Sequence, residues 1–269
     1  MKQTGMGSEK IIRRKRDGEL EYQPDDLTVE EPLEIRIGRK VLATTMRTPG
    51  HDQELATGFL ISEAILRQPN ELAKLSSPGE NIVIVDLAAG VKVKLNSARR
   101  FGTISSSCGI CGKASIDVIR QNFPPIQSTG SRIGLATLLA LPVRLREQQM
   151  EFAHTGGIHA AGIFDLRGRP LIVREDIGRH NAVDKAIGRA FLDRRLPLDR
   201  HVLLVSGRAS FEILQKALAA GISIVAAVSA PSTLAVSFAR VSNQTLIGFL
   251  RPPSFNLYSH IERVDLSRS

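Results

Sequence analysis

The chain has 269 residues, enough for one large or two small domains, and its 42% apolar and 23% charged residues are those of an ordinary soluble globular protein. Aromatic residues make up only 4% and Trp is absent, which argues against the stacking platforms that hold single-stranded nucleic acid, so nucleic acid is not an expected partner. The formal charge of +9 still surrounds the protein with a field that attracts anions, among them phosphates and acidic protein surfaces.

Residues 1–16 contain a cationic run, Lys10, Arg13, Arg14, Lys15 and Arg16, and no apolar stretch long enough for a signal peptide or a membrane span. A basic, disordered tail over residues 1–19 is expected, on a cytoplasmic protein with no membrane attachment. From residue 20 to about residue 98 the pattern is β-rich. Leu33, Ile35 and Ile37 alternate with charged residues, Val41 and Leu42 continue that strand, and residues 82–85 and 91–95 read as two more. Between them Asp52 caps an expected helix with Leu55, Phe59, Leu60 and Ala64 on one face, packed on the sheet. Ile116 and Ile119 suggest a short helix over 113–121, stopped by Pro124 and Pro125, and residues 127–130 form the expected domain connection. The resulting division is a β-rich domain over 20–130 and an α/β domain over 131–269.

The second half is more regular. Residues 135–151 read as a helix interrupted by Pro142, and residues 160–165 and 170–174 as a strand pair turned at Arg167-Gly168-Arg169. Ala182, Val183, Ala186, Ile187 and Ala190 form an apolar stripe at helical spacing, residues 201–205 a buried strand, and Ile213, Leu214, Ala217 and Leu218 a second stripe that Gly221 ends. Residues 222–228 form another strand, Pro231 opens a third helix, and residues 246–250 close the set. Such alternation predicts a largely parallel sheet between helix layers.

In that architecture ligands bind beyond the carboxyl ends of the strands, where helix N-termini offer unpaired N–H groups. The junctions there are Arg174-Glu175-Asp176-Ile177-Gly178-Arg179-His180-Asn181, Ser206-Gly207-Arg208-Ala209-Ser210 and Ser229-Ala230-Pro231-Ser232-Thr233. Gly178, Arg179, His180, Ser206, Gly207, Arg208 and Ser210 are therefore candidates for holding phosphates, with Arg179 and Arg208 able to fork onto phosphate oxygens. None of the three resembles GxGxxG or a Walker loop, so the signal names an anion rather than a particular nucleotide. His154 and His159, flanking Thr155-Gly156-Gly157-Ile158, serve equally well as ligand, acid–base or structural residues. Glu175 and Asp176 read as partners of nearby arginines and as helix caps rather than as a paired acid and base.

The two cysteines stand together in Ser107-Cys108-Gly109-Ile110-Cys111-Gly112. A single CxxC supplies only half of a four-ligand zinc site, and a reducing compartment disfavours a static disulfide, so a working thiol pair is expected. Two other readings stay open: a thiol-disulfide oxidoreductase, and a zinc-binding assembly module with CxxC pairs meeting across a dimer.

Taken together, Ser107 to Gly112, Thr155-Gly156-Gly157-Ile158-His159-Ala160-Ala161, the run from Arg174 to Lys185 and Ser206-Gly207-Arg208-Ala209-Ser210-Phe211-Glu212 resemble the FdhD/NarQ family of formate dehydrogenase accessory sulfurtransferases, over residues 29–258. The resemblance implies a cytoplasmic, homodimeric sulfur carrier. A cysteine desulfurase loads a persulfide on Cys108, Cys111 assists, and the sulfur passes to molybdenum or tungsten in a bis(molybdopterin guanine dinucleotide) cofactor, bound as substrate, before the formate dehydrogenase apoenzyme receives it. The family's cofactor-contacting segment falls on Phe249, Leu250, Arg251, Pro252, Pro253 and Ser254. The second half also resembles the cytidine-deaminase fold, a three-layer α/β/α domain, but His180-Asn181-Ala182 lacks the glutamate of HxE and Gly207-Arg208-Ala209-Ser210 stands where PCxxC would be, so no intrinsic metal is expected.

Overall fold

Asp17-Gly18 is a turn signal between two alternating stretches, and in the computed structural model it closes an antiparallel ribbon of β1 (Met6–Arg14) and β2 (Leu20–Thr28). The structure describes residues 5–91, 122–127 and 130–267. The ribbon corrects the expected disordered tail: the basic run lies in β1 as far as Arg14 and in the turn after it, and its cations face acids of β2, Arg13 to Asp25 at 3.6 Å and Lys15 to Glu21 at 3.3 Å.

A second sheet has four strands in the order β4-β3-β6-β5, built from β3 (Glu31–Ile37), β4 (Lys40–Arg47), β5 (Leu72–Gly79) and β6 (Ile82–Leu87). Val41 and Leu42 do not continue the preceding strand. Gly38, at φ +54°, reverses the chain so that β4 returns antiparallel along β3. The expected strand over 91–95, from residue 92 on, and the expected helix over 113–121 lie outside the described residues.

Helix α1 (Asp52–Ser62) follows β4. His51 rather than Asp52 occupies the cap position, because both carboxylate oxygens of Asp52 accept from the buried Arg47 guanidinium, each at 2.9 Å. The helix packs chiefly on α4 (Arg179–Leu192), not on the sheet. Glycine permits the approach: a Cβ at Gly58 would lie 1.9 Å from the Asp184 carbonyl, and one at Gly188 1.8 Å from that of Glu54. Leu55, Leu60, Val83 and Leu33 consequently share one apolar core with Ala186, Ile187 and Ile213. Residue 130 separates two sheets, but the sheets do not have independent cores.

The principal sheet has six strands in the order β13-β12-β11-β10-β8-β9. Its members are β8 (His159–Asp165), β9 (Pro170–Asp176), β10 (His201–Val205), β11 (Ile224–Ala227), β12 (Thr245–Arg251) and β13 (Ser254–Ser259). Only the central β10–β11 and β11–β12 pairings are parallel, while β8–β9, β10–β8 and β12–β13 are antiparallel. The expected largely parallel sheet is therefore mixed, because hairpins supply the strands on both flanks and only a crossover connection makes a parallel neighbour. Side-chain alternation sends Leu203, Val205 and Val225 to the face covered by α4, α5 (Phe211–Ala219) and α6 (Thr233–Val241). Val202, Leu204 and Ile224 point to the opposite face, against Leu138, Leu141 and Leu145 of α2 (Leu135–Glu147). The fold is thus α/β, with helices on both faces of this sheet.

Pro142 sits inside α2 without breaking it, and the break comes later, before the short α3 (Met150–Thr155). Beside α2, β7 (Ile133–Gly134) pairs with β14 (Val264–Asp265). Among the described residues no helix is long and apolar enough to cross a membrane.

Candidate functional site

The carboxyl ends of β10, β11 and β12 come together through specific bonds. His180 Nε2 lies 3.0 Å from Ser210 Oγ, tying the start of α4 to the start of α5. Ala209 forms a bridge with Pro231, its N–H donates to Ala230 at 3.2 Å, and Ser232 N donates back to Ala209 at 3.1 Å, which joins the second junction to the third. Phe249 N donates to Ser229 O at 3.1 Å and Arg251 Nε to Val228 O at 3.0 Å, so the end of β12 lines the same edge. The third helix begins two residues later than expected: Ser232 is its cap, accepting from Ala235 N, and Pro231 precedes it.

A buried acid fixes the first junction. Asp176 Oδ2 pairs with Lys185 Nζ at 2.7 Å and accepts from Thr48 N, while Oδ1 accepts from Gly178 N at 2.8 Å and Asn181 Nδ2 at 3.0 Å. Lys185 spends its remaining donors on the carbonyls of Thr48 and Glu175. Glu175 accepts from Glu151 N and Phe152 N and so caps α3. Glu175 is thus a helix cap as expected, but the expected arginine partners are replaced: the counter-ion of Asp176 is Lys185. A second buried pair lies deeper, where Lys216 Nζ reaches Asp184 at 2.7 Å and Ser62 Oγ donates to the same carboxylate at 2.8 Å.

The crevice itself carries cations of a different kind. Gly178 caps α4, and Arg179 and His180 open it. Arg179 Nε is buried with no hydrogen-bond partner, and neither Arg179 nor Arg208 makes a salt bridge among the described residues. Burial, and then the neighbouring charge of Arg208, push the Arg179 guanidinium below its ordinary range, with Glu212 opposing. His159 is pushed down by burial first and then by Arg179, His180 and Arg208, so the ring favours its neutral form. Gly207 holds the space between: a Cβ there would meet His159 Nδ1 at 3.3 Å and Arg179 Cβ at 3.7 Å. Cations that repel one another around a backbone without side chain are what a bound polyanion would relieve.

His180 is oriented by two groups, since its Nε2 also lies 2.9 Å from Glu212 Oε2. Burial resists ionisation of Glu212, but the bond and charge of His180, with Lys216 and Arg179, outweigh it and hold the carboxyl below its usual range. Ser206 is built into the floor: its Oγ accepts from Ala160 N at 2.9 Å and its N–H donates to Ala160 O at 2.9 Å. Ser210 stands at the cap position of α5, where its side chain makes no capping bond and faces His180 instead.

The segment 249–254 divides. Phe249, at φ +51°, and Arg251 are exposed beside the third junction, whereas Leu250 is fully buried in the core under α2. A ligand contact through the Leu250 side chain is therefore excluded. Pro252, Pro253 and Ser254 turn the chain into β13, with Ser254 Oγ donating to Arg251 O at 3.2 Å. Cys108 and Cys111 lie outside the described residues. His159 and Glu212 were not singled out as phosphate-site residues by sequence; Gly156-Gly157 beside His159 was the available signal, whereas Glu212 looked like an ordinary first-turn helix residue.

Fold and crevice together define an α/β protein with a cation-lined crevice at strand carboxyl ends. Residues 28–265 match the FdhD/NarQ family, and the chain belongs to that family. It is 49% identical over 268 residues to a sulfur carrier protein FdhD of Streptomyces coelicolor, covering 96% of this chain and 95% of that one. The protein of the same name from Mycobacterium tuberculosis is 48% identical over 256 residues, covering 90% and 92%, and that of Picrophilus torridus 44% over 244 residues, covering 89% and 92%. The crystal structure of a putative formate dehydrogenase accessory protein from Desulfotalea psychrophila has the same fold, with a TM-score of 0.79 at 21% identity over 97% of this chain and all of the other.

Proposed function

We propose that this protein is a sulfur carrier and sulfurtransferase that serves formate dehydrogenase. Cys108 takes sulfur from a cysteine desulfurase and delivers it to the metal of a bis(molybdopterin guanine dinucleotide), the substrate held at the crevice. The observation that carries the reading is the Arg179–Arg208 cluster around Gly207, which has no salt bridge among the described residues and suits a pyrophosphate. The names of the relatives, at 48–49% identity over nearly the whole chain, support the sulfur chemistry.

In the first step the Cys108 thiolate attacks the outer sulfur of the desulfurase persulfide. A sulfur–sulfur bond forms on Cys108, the donor's bond breaks, and its electron pair stays on the donor cysteine as thiolate. In the second step the Cys111 thiolate attacks Cys108 Sγ, giving a Cys108–Cys111 disulfide and expelling sulfide, which the metal takes as ligand. A cellular dithiol then reduces the disulfide.

Intact mass spectrometry after incubation with cysteine desulfurase and cysteine tests this. The expected result is one added sulfur atom on the wild type, removable by a dithiol, and none on Cys108→Ala. An unmodified wild type, or a tightly held zinc ion at the cysteines, would overturn it.

A further inference from the structure

The ribbon of β1 and β2 is a part of the chain that the family match leaves out, since the match begins at residue 28 and β2 ends at Thr28. Its base is fixed to the body. Val29 N donates to Gly5 O at 2.8 Å, Thr28 Oγ1 donates to Thr155 Oγ1 of α3 at 2.9 Å, and a Cβ on Gly157 would meet the same Thr28 oxygen at 3.5 Å. Gly157 stands two residues before His159, so the ribbon springs from beside the cation-lined crevice. Strands of nine residues, at about 3.3 Å each, give it a reach of about 30 Å.

The register sorts its side chains by face, because opposite residues of an antiparallel pair share a side and successive residues alternate. Ile12 lies opposite Tyr22, Arg14 opposite Leu20 and Lys10 opposite Pro24, so these six form one face, while Glu9, Arg13, Glu21 and Asp25 fall on the other. The two faces use charge differently. On the second, Arg13 reaches Asp25 at 3.6 Å, and Lys15, in the turn that follows, is held by Glu19 and Glu21 at 3.2 and 3.3 Å. On the first, neither Lys10 nor Arg14 makes a salt bridge among the described residues. The apolar groups between these two cations are uncovered: Tyr22 is 79% exposed, Leu20 63% and Ile12 55%. Large apolar side chains gathered in solvent mark an interaction site, and a tyrosine beside an arginine has the composition of an interface anchor. A ribbon of only two strands gains little stability from such a face by itself.

Unmatched cations around an apolar centre are complementary to an apolar patch rimmed by acids. A face outside the family match and beside the crevice is placed to select the protein that collects the finished cofactor there, rather than to serve the sulfur chemistry. We propose that the face of Lys10, Ile12, Arg14, Leu20 and Tyr22 docks the formate dehydrogenase apoenzyme, which meets it with an apolar patch rimmed by carboxylates. The proposal rests on the sulfur-carrier reading and adds to it the surface that recognises the acceptor.

Biolayer interferometry of the full-length protein against the purified apoenzyme, and separately against the cysteine desulfurase, tests it. The wild type should bind the apoenzyme, and more weakly as salt is raised. Ile12→Thr/Tyr22→Thr, which keeps strand-forming residues in the ribbon, should weaken that binding at least about tenfold, and Lys10→Glu/Arg14→Glu should do the same. Glu9→Gln, on the other face, should bind as the wild type does. Desulfurase binding and the added sulfur atom on Cys108 should be unchanged in every variant. Apoenzyme binding at wild-type strength by both double variants, or no binding by the wild type, overturns the docking surface and leaves the carrier reading standing where Cys108 still gains sulfur. Loss of desulfurase binding in both double variants with apoenzyme binding retained also overturns the proposal, and assigns the face to the sulfur donor.

Discussion

Helix α4 carries two populations of charge. Asp184 and Lys185, on its inner side, are buried and matched, to Lys216 and Asp176 respectively, and every pair is supplemented by hydrogen bonds from Ser62, Thr48 or backbone groups. Arg179, at its first turn, is partly buried yet makes no salt bridge among the described residues, and the largest charge effect on it comes from another arginine. Matched charges hold α4 against α1, α5 and the strand ends, so that the like-charged arginines keep their places despite their mutual repulsion. Rigid placement of repelling cations is possible only where the surrounding core is strong enough to hold them.

Breaking the matched set should have the largest effect. Lys216→Met leaves Asp184 buried against Ser62 without its counter-ion, and unfolding in urea should show a loss of about 3–5 kcal/mol. The double variant Asp184→Leu/Lys216→Met removes both charges and should recover most of that loss. If the single variant unfolds at the wild-type midpoint, the pair does not hold the helix.

A smaller effect is expected at Glu54, a buried acid of α1. Burial resists ionisation of Glu54, but its bonds to Arg174 and His51 prevail and bring its pKa from 4.5 down to about 2. The unfolded chain binds the proton first, so Glu54 contributes stability that is complete above the unfolded value of 4.5 and is lost as the pH falls through about 2. Glu54→Gln should therefore flatten the acid limb of the stability curve in that window. An unaltered limb would mean that Arg174 does not stabilise the carboxylate.

The two halves of the chain differed in how openly their sequence declared them. Helices α4, α5 and α6 were readable because each buries a regular stripe against one sheet, and the junction residues followed from the position of those helices. Strand direction is legible only in part: the turn at Arg167-Gly168-Arg169 announces the antiparallel β8–β9 pair, whereas β13 lies beyond the last strand expected and the antiparallel β10–β8 pairing is decided by non-local contacts. The ribbon is not legible because its cations have the composition of a solvated tail, whereas the acids of β2 that neutralise them lie across a turn. The close contact of α1 with α4 depends on Gly58 and Gly188, two residues far apart in sequence that acquire meaning only when seen face to face. At the site, Arg179 and Arg208 are legible from their place before helices, but that neither makes a salt bridge among the described residues requires knowledge of all their neighbours.

The account depends most on the claim that Arg179 and Arg208 are reserved for a ligand's phosphates. Calorimetric titration of GDP into the Arg179→Ala/Arg208→Ala variant at low ionic strength tests it directly. The account predicts affinity reduced by at least about tenfold, with the unfolding midpoint unchanged or slightly raised by removal of like charges. GDP binding as tight as that of the wild type would contradict it.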